Sequence, residues 1–114
     1  MKRLLAAVMF AAACAVPAAA GTIENSFGNT LNVQPEGSPA LRFHFNADNT
    51  YAMVLPDNTS VTGTWAMTNG QLCLTPAGGA AECHPDPGNY SVGQSWTGQS
   101  GQGVTMQMSL TAGR

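Results

Sequence analysis

Glu82, Cys83 and His84 stand in a row, ten residues after Cys73. On an extended strand, alternate side chains project to opposite faces, so Glu82 and His84 share one face and Cys83 takes the other. If the two cysteines oppose each other across a hairpin with the loop Ala77-Gly78-Gly79, Glu82 falls opposite Leu74 and His84 opposite Leu72. The carboxylate and the imidazole then sit on the apolar side. Groups so placed have perturbed proton affinities, a property of ligand-binding and acid-base sites. Pro85 and Pro87 favour the alternative, a rim or irregular segment in which both groups reach water.

A second constellation is Met106-Gln107-Met108, with Met53 and Met67 on the same expected face. Thioethers with a nearby histidine bind Cu(I) in exported proteins, which makes a periplasmic Cu(I)-binding protein an alternative reading. Methionine is also a filler of small cores, and that reading is preferred, so no metal site is assigned. His44, beside Arg42 on the polar side of its strand, is read as a surface residue. The tripeptide Asp-Asn-Thr occurs at 48–50 and again at 57–59. One carboxylate per loop is too few for calcium, and Asp and Asn side chains bond their own backbone in turns, so both copies are read as turns.

Catalysis finds little support. The acids and histidines are scattered, and the chain contains neither G-x-S-x-G nor H-E-x-x-H. The Gly-rich stretch from Gly98 to Gly103 precedes a strand pattern rather than a helix, which argues against a phosphate cradle. The expectation is a protein that is not an enzyme and uses no cofactor.

The first twenty residues have the layout of a secretory leader, with Lys2 and Arg3, an apolar run from Leu4 to Ala13, and small residues at Ala18-Ala19-Ala20. Such a run is too short to span a bilayer, which needs roughly 20 apolar residues. Lipidation of Cys14 is a minor alternative, because Ala11-Ala12-Ala13 lacks the large aliphatic residue that lipoprotein signals carry. Removing residues 1–20 leaves residues 21–114 as one domain, periplasmic or secreted, with Cys73 and Cys83 as an expected disulfide. Arg42 and Arg114 then face six carboxylates, a side-chain balance of 2 − 6 = −4. Nucleic-acid binding, which needs clustered Lys and Arg, is excluded on that balance. A monomer without a transmembrane segment is expected.

The elements that must position these residues read as strands throughout, because the apolar period is two. Leu31 and Val33 mark a strand at 29–34, followed by Leu41/Phe43/Phe45, Tyr51/Met53/Leu55, Val61/Gly63/Trp65/Met67 and Leu72/Leu74. A short strand at 80–84, one over 90–97 with Tyr90, Val92 and Trp96, and Val104/Met106/Met108/Leu110 complete about eight. Asn69-Gly70 as a two-residue turn pairs Met67 with Leu72 and Trp65 with Leu74. A loop of Ala47-Asp48-Asn49 pairs Phe45 with Tyr51, and a loop of Asp57-Asn58-Thr59 pairs Leu55 with Val61 and Tyr51 with Trp65. The fold class is all-β, an antiparallel up-and-down meander closing into a small lipocalin-like barrel or a strongly curled sheet. In so short a chain most of the interior is expected to be filled.

The run Phe45-Asn46-Ala47-Asp48-Asn49-Thr50-Tyr51, then Gly63-Thr64-Trp65, then Asn69-Gly70-Gln71-Leu72-Cys73-Leu74 resembles small exported bacterial β-proteins. In those, D-G-T-Y, G-T-W and L-C patterns mark successive hairpins. The resemblance covers about residues 43–83. Gly63-Thr64-Trp65 is also similar to the G-x-W of lipocalin-like barrels, although there the motif stands near the first strand and here it is mid-chain. Small eight-stranded inhibitors of secreted proteases are similar in architecture. The function these observations favour is a noncatalytic exported binding module. It takes a small apolar ligand through Tyr51, Trp65, Glu82, His84 and Trp96, or an envelope protein through an exposed patch at Ile23 and Phe27. A protease inhibitor-like protein is a further alternative.

Overall fold

The computed structural model describes residues 21–114; the expected leader at 1–20, with Cys14, lies outside them. A single helical turn, α1 (Thr22–Asn25), precedes eight strands. These are β1 (Thr30–Pro35), β2 (Leu41–Phe45), β3 (Thr50–Val54), β4 (Ser60–Thr68), β5 (Gln71–Pro76), β6 (Glu82–Pro85), β7 (Ser95–Gln99) and β8 (Thr105–Thr111). They form one antiparallel sheet in the order β6-β5-β4-β3-β2-β1-β8-β7. Followed as a circle, that is simple succession with one ladder missing, between β6 and β7. The all-β reading holds, and the sheet is a nearly closed barrel.

The repeated Asp-Asn-Thr makes the same turn twice. Asp48 Oδ1 accepts from the Thr50 N–H at 3.1 Å and the Thr50 hydroxyl at 2.6 Å, and Asp57 Oδ1 does the same with Thr59 at 3.0 and 2.7 Å. Asn49 and Asn58 both adopt φ 68°, the left-handed region that Asn tolerates better than most residues.

Pairings across Asn69-Gly70 and across the 47–49 loop are as expected from the sequence: Trp65 with Leu74, Met67 with Leu72, Phe45 with Tyr51. The β3–β4 register differs. Met53 pairs with Val61 and Tyr51 with Gly63, two residues from the expected alignment. A slip of two keeps every side chain on its face, so the apolar pattern could not discriminate the alternatives. The expected strand over 90–97 is also shorter, because Tyr90 and Val92 belong to the connection between β6 and β7.

Burial falls steadily along the inward rows. Phe45 is buried while Phe43 and Leu41 are half-buried; Tyr51 is buried and Met53 half-buried; Leu72 is buried and Leu74 half-buried; Leu110 and Met108 are buried while Val104 is exposed. The buried ends all point to one end of the barrel. There α1 lies across the opening: Thr22 N–H donates to Gly88 O at 2.9 Å, its hydroxyl to Pro87 O at 3.1 Å, and Asn25 Nδ2 to Tyr90 O at 2.8 Å. Ile23 enters the core, and the Phe27 ring centroid lies 6.0 Å from that of Trp65. Ile23 and Phe27 therefore do not form the exposed patch expected of them; they are the apolar side of a plug, in which Ile23 is buried, contributing about 1.5–3 kcal/mol, and Phe27 is half-buried. Trp65 is fixed in this floor by its Nε1–H, which donates to Asn46 O at 2.9 Å.

Candidate functional site

The interior is not filled, from the plug's tie points at Pro87, Gly88 and Tyr90 to the far end at Ser38 and Val104. A half-open cavity of about 540 Å³ begins at Leu31, Phe45, Tyr51 and Leu72, and widens past Phe43, Met53, Leu74 and Met106 towards the turns. This corrects the expectation of a packed interior. The missing β6–β7 ladder leaves the wall parted on one side.

Gly63 answers to backbone geometry. A Cβ there would lie 2.2 Å from the carbonyl oxygen of Thr75, so β4 and β5 approach each other closely only because residue 63 has none.

β6 forms one lip of the parted wall. Cys73 and Cys83 are directly opposed and bonded, at an S–S distance of 2.00 Å. Leu72 pairs with His84 and Leu74 with Glu82, as the alternation demanded. Both Glu82 and His84 line the cavity. The side chain of His84 is 20% exposed and that of Glu82 55%, with His84 Nε2 3.8 Å from Glu82 Oε1. The lip is tied to the β7–β8 turn by side chains. His84 Nδ1 accepts from the Gly101 N–H at 2.8 Å, and Gln102 Nε2 donates to Glu82 Oε2. Because Nδ1 is an acceptor, this bond requires the imidazole tautomer that carries its proton on Nε2, which is neutral.

Tyr51 lies deep in the cup, with its ring centroid 6.3 Å from that of Phe43 and 6.0 Å from that of Phe45. Burial raises its phenol above the ordinary tyrosine range, and the negative charge of Glu82 adds to that shift. Trp96 lines the cavity from β7 and stacks on Tyr90, with centroids 4.0 Å apart and planes 5° from parallel. Trp65 is the one candidate that stands apart, in the closed floor rather than among the lining residues. Tyr90, Gly101 and Gln102 were not singled out from the sequence, since their roles arise only where the two lips meet.

Of the methionines, Met53, Met106 and Met108 line the cavity while Met67 is 41% exposed. Among the described residues, no three of His, Cys, Asp and Glu come together to hold a metal ion, and no helix is long and apolar enough to cross a membrane.

His44 is not the plain surface residue expected from its strand position. It is half-buried, its Nε2 is enclosed without a hydrogen-bond partner, and burial, with the charges of Arg114 and Arg42, lowers its proton affinity. Arg114 adds to the effect of burial by folding back over the closed end, where its guanidinium donates to Asn29 O at 2.9 Å and Asn46 Oδ1 at 2.8 Å.

Comparison of the chain with protein-family models, with curated proteins and with solved structures finds no match.

Proposed function

We propose that this protein is a noncatalytic exported binding module that takes the apolar body of a small molecule into its cup. The observation carrying this reading is the cavity of about 540 Å³, continuous with the core and lined mainly by apolar residues. Its size lies within the roughly 300–1,000 Å³ of small-molecule sites, and an apolar wall with a few polar groups at one side is their usual composition. Export is supported by the leader-like residues 1–20 and by a cysteine pair at bonding distance, since disulfides persist in oxidising compartments.

The test uses N-phenyl-1-naphthylamine, an apolar dye whose fluorescence rises out of water. Saturable one-to-one binding is expected, and Val61→Trp or Leu74→Trp, which put bulk into the half-buried part of the wall, should abolish it while leaving cooperative thermal unfolding intact. Dye binding that never saturates, or that survives both substitutions unchanged, would reject the reading.

A further inference from the structure

We infer that the occupant of the cup is a cationic amphiphile, an apolar body carrying an ammonium head attracted by the carboxylates of the lining, Glu82 and Asp86, and that the site discriminates against the carboxylate of the same body. The inference rests on the cup being a binding site and adds the chemistry of its ligand. Among the residues lining the cavity, the charged ones are Glu82 and Asp86, with His84 between them and no Lys or Arg. The two arginines of residues 21–114 are used elsewhere. Arg42 Nη2 donates to Asn58 Oδ1 at 2.8 Å on the outer side of the sheet, and Arg114 is bound to Asn29 and Asn46 at the closed end. An anionic ligand head would therefore find no cation to meet it and two partly screened carboxylates to repel it.

The lip supplies what an ammonium group needs. His84 Nδ1 is taken up as the acceptor of the Gly101 N–H. Glu82 accepts one described hydrogen bond from Gln102, and Asp86 Oδ1 accepts one from the Gly88 N–H at 2.8 Å. A carboxylate has about four acceptor sites, so both retain capacity. The charge of Glu82 is felt inside the cup as well, where it raises the proton affinity of the Tyr51 phenol, after burial.

The test compares three probes with one body, decylamine, 1-decanol and decanoate, by titration calorimetry near neutral pH and low ionic strength. Decylamine should bind at least about tenfold more tightly than decanoate, with decanol between them, an amount consistent with partly exposed charges. In Glu82→Gln with Asp86→Asn, the preference should shrink to about twofold or less. If that variant does not fold, the same comparison on the unaltered protein at about 0.3 M salt serves instead, because screening should narrow the preference. Decanoate binding as tightly as decylamine, or a preference indifferent to both the substitutions and salt, would overturn the cationic head while leaving the cup intact. Saturable binding of none of the three would overturn the cup as well.

Discussion

The backbone N–H of Gly101 reaches Nδ1 of His84 at 2.8 Å across the one place in the barrel where neighbouring strands share no ladder. Glu82 and Gln102 make a second bridge beside it. The two side chains that face the cup are thus also the clasps of its wall, so binding and closure draw on the same atoms.

Gly101 is the tight point of that clasp, since a Cβ there would lie 2.3 Å from the Cys83 carbonyl oxygen. Backbone cannot yield as a flexible side chain can, and forced shifts of this kind cost roughly 1–3 kcal/mol. Gly101→Ala should lower the unfolding midpoint and speed amide exchange in residues 82–85 and 100–103. Unaltered exchange at those amides would mean the turn is not held to β6 in solution.

The disulfide joins residues separated by 10 in sequence, a short loop whose closure restricts the unfolded chain by about 2–3 kcal/mol in the chain-entropy account. Cys73→Ser with Cys83→Ser should lose about that much stability. Because β6 pairs only with β5, ligand binding should weaken too, in step with the loosened lip. A variant that loses stability yet binds the decyl probes as tightly as before would show that β6 keeps its place without the bond.

Gly63→Ala tests the other glycine contact. With the Thr75 carbonyl oxygen 2.2 Å from the added Cβ, β4 and β5 must move apart, at a cost of about 1–3 kcal/mol. Urea unfolding should report it, and a midpoint within error of the parent protein would reject so close an approach.

Acid should act in two steps. His44 has a folded proton affinity below its ordinary value of 6.5, so the unfolded chain protonates first and stability falls as pH drops from about 6.5 towards the lower folded value. Asp48 and Asp57 are held below 3.8, first by the Thr50 and Thr59 hydroxyls, so their contribution is present above 3.8 and is lost as pH falls through the folded values. His44→Gln should flatten the upper step, and Asp48→Asn with Asp57→Asn the lower one. Urea midpoints measured across pH would distinguish these steps, and an upper slope unchanged in His44→Gln would assign it to another group.

Period-two alternation was enough to place the strands apart from β7, whose expected residues Tyr90 and Val92 fall in the connection before it, and Asn69-Gly70 and the opposed cysteines placed two hairpins in register, because each combines a turn or a bond with an apolar match. The β3–β4 slip escaped because its alternative presents the same faces to the core. The plug escaped for a different reason: four helical residues are too few to show a helical period, so Ile23 and Phe27 looked like loose apolar side chains. Within the site, the facing of Glu82 and His84 was legible from parity alone. The cavity was not, since empty volume depends on how far a sheet curls, and no local pattern records that.

The place of the missing ladder also sets the order in which the barrel can assemble. Six of the seven ladders join strands consecutive in the chain, whereas β1 and β8 pair Thr30 with Thr111 and must bring together residues 81 apart. Loop-closure entropy makes that contact the slow one to form. A circular permutant that begins in the 86–94 connection, its former ends joined by a Gly/Ser linker, would read β7-β8-β1-β2-β3-β4-β5-β6, the spatial order itself. Every pairing would then be local, and stopped-flow refolding should be faster than in the natural order; an unchanged rate would put the barrier in a hairpin instead.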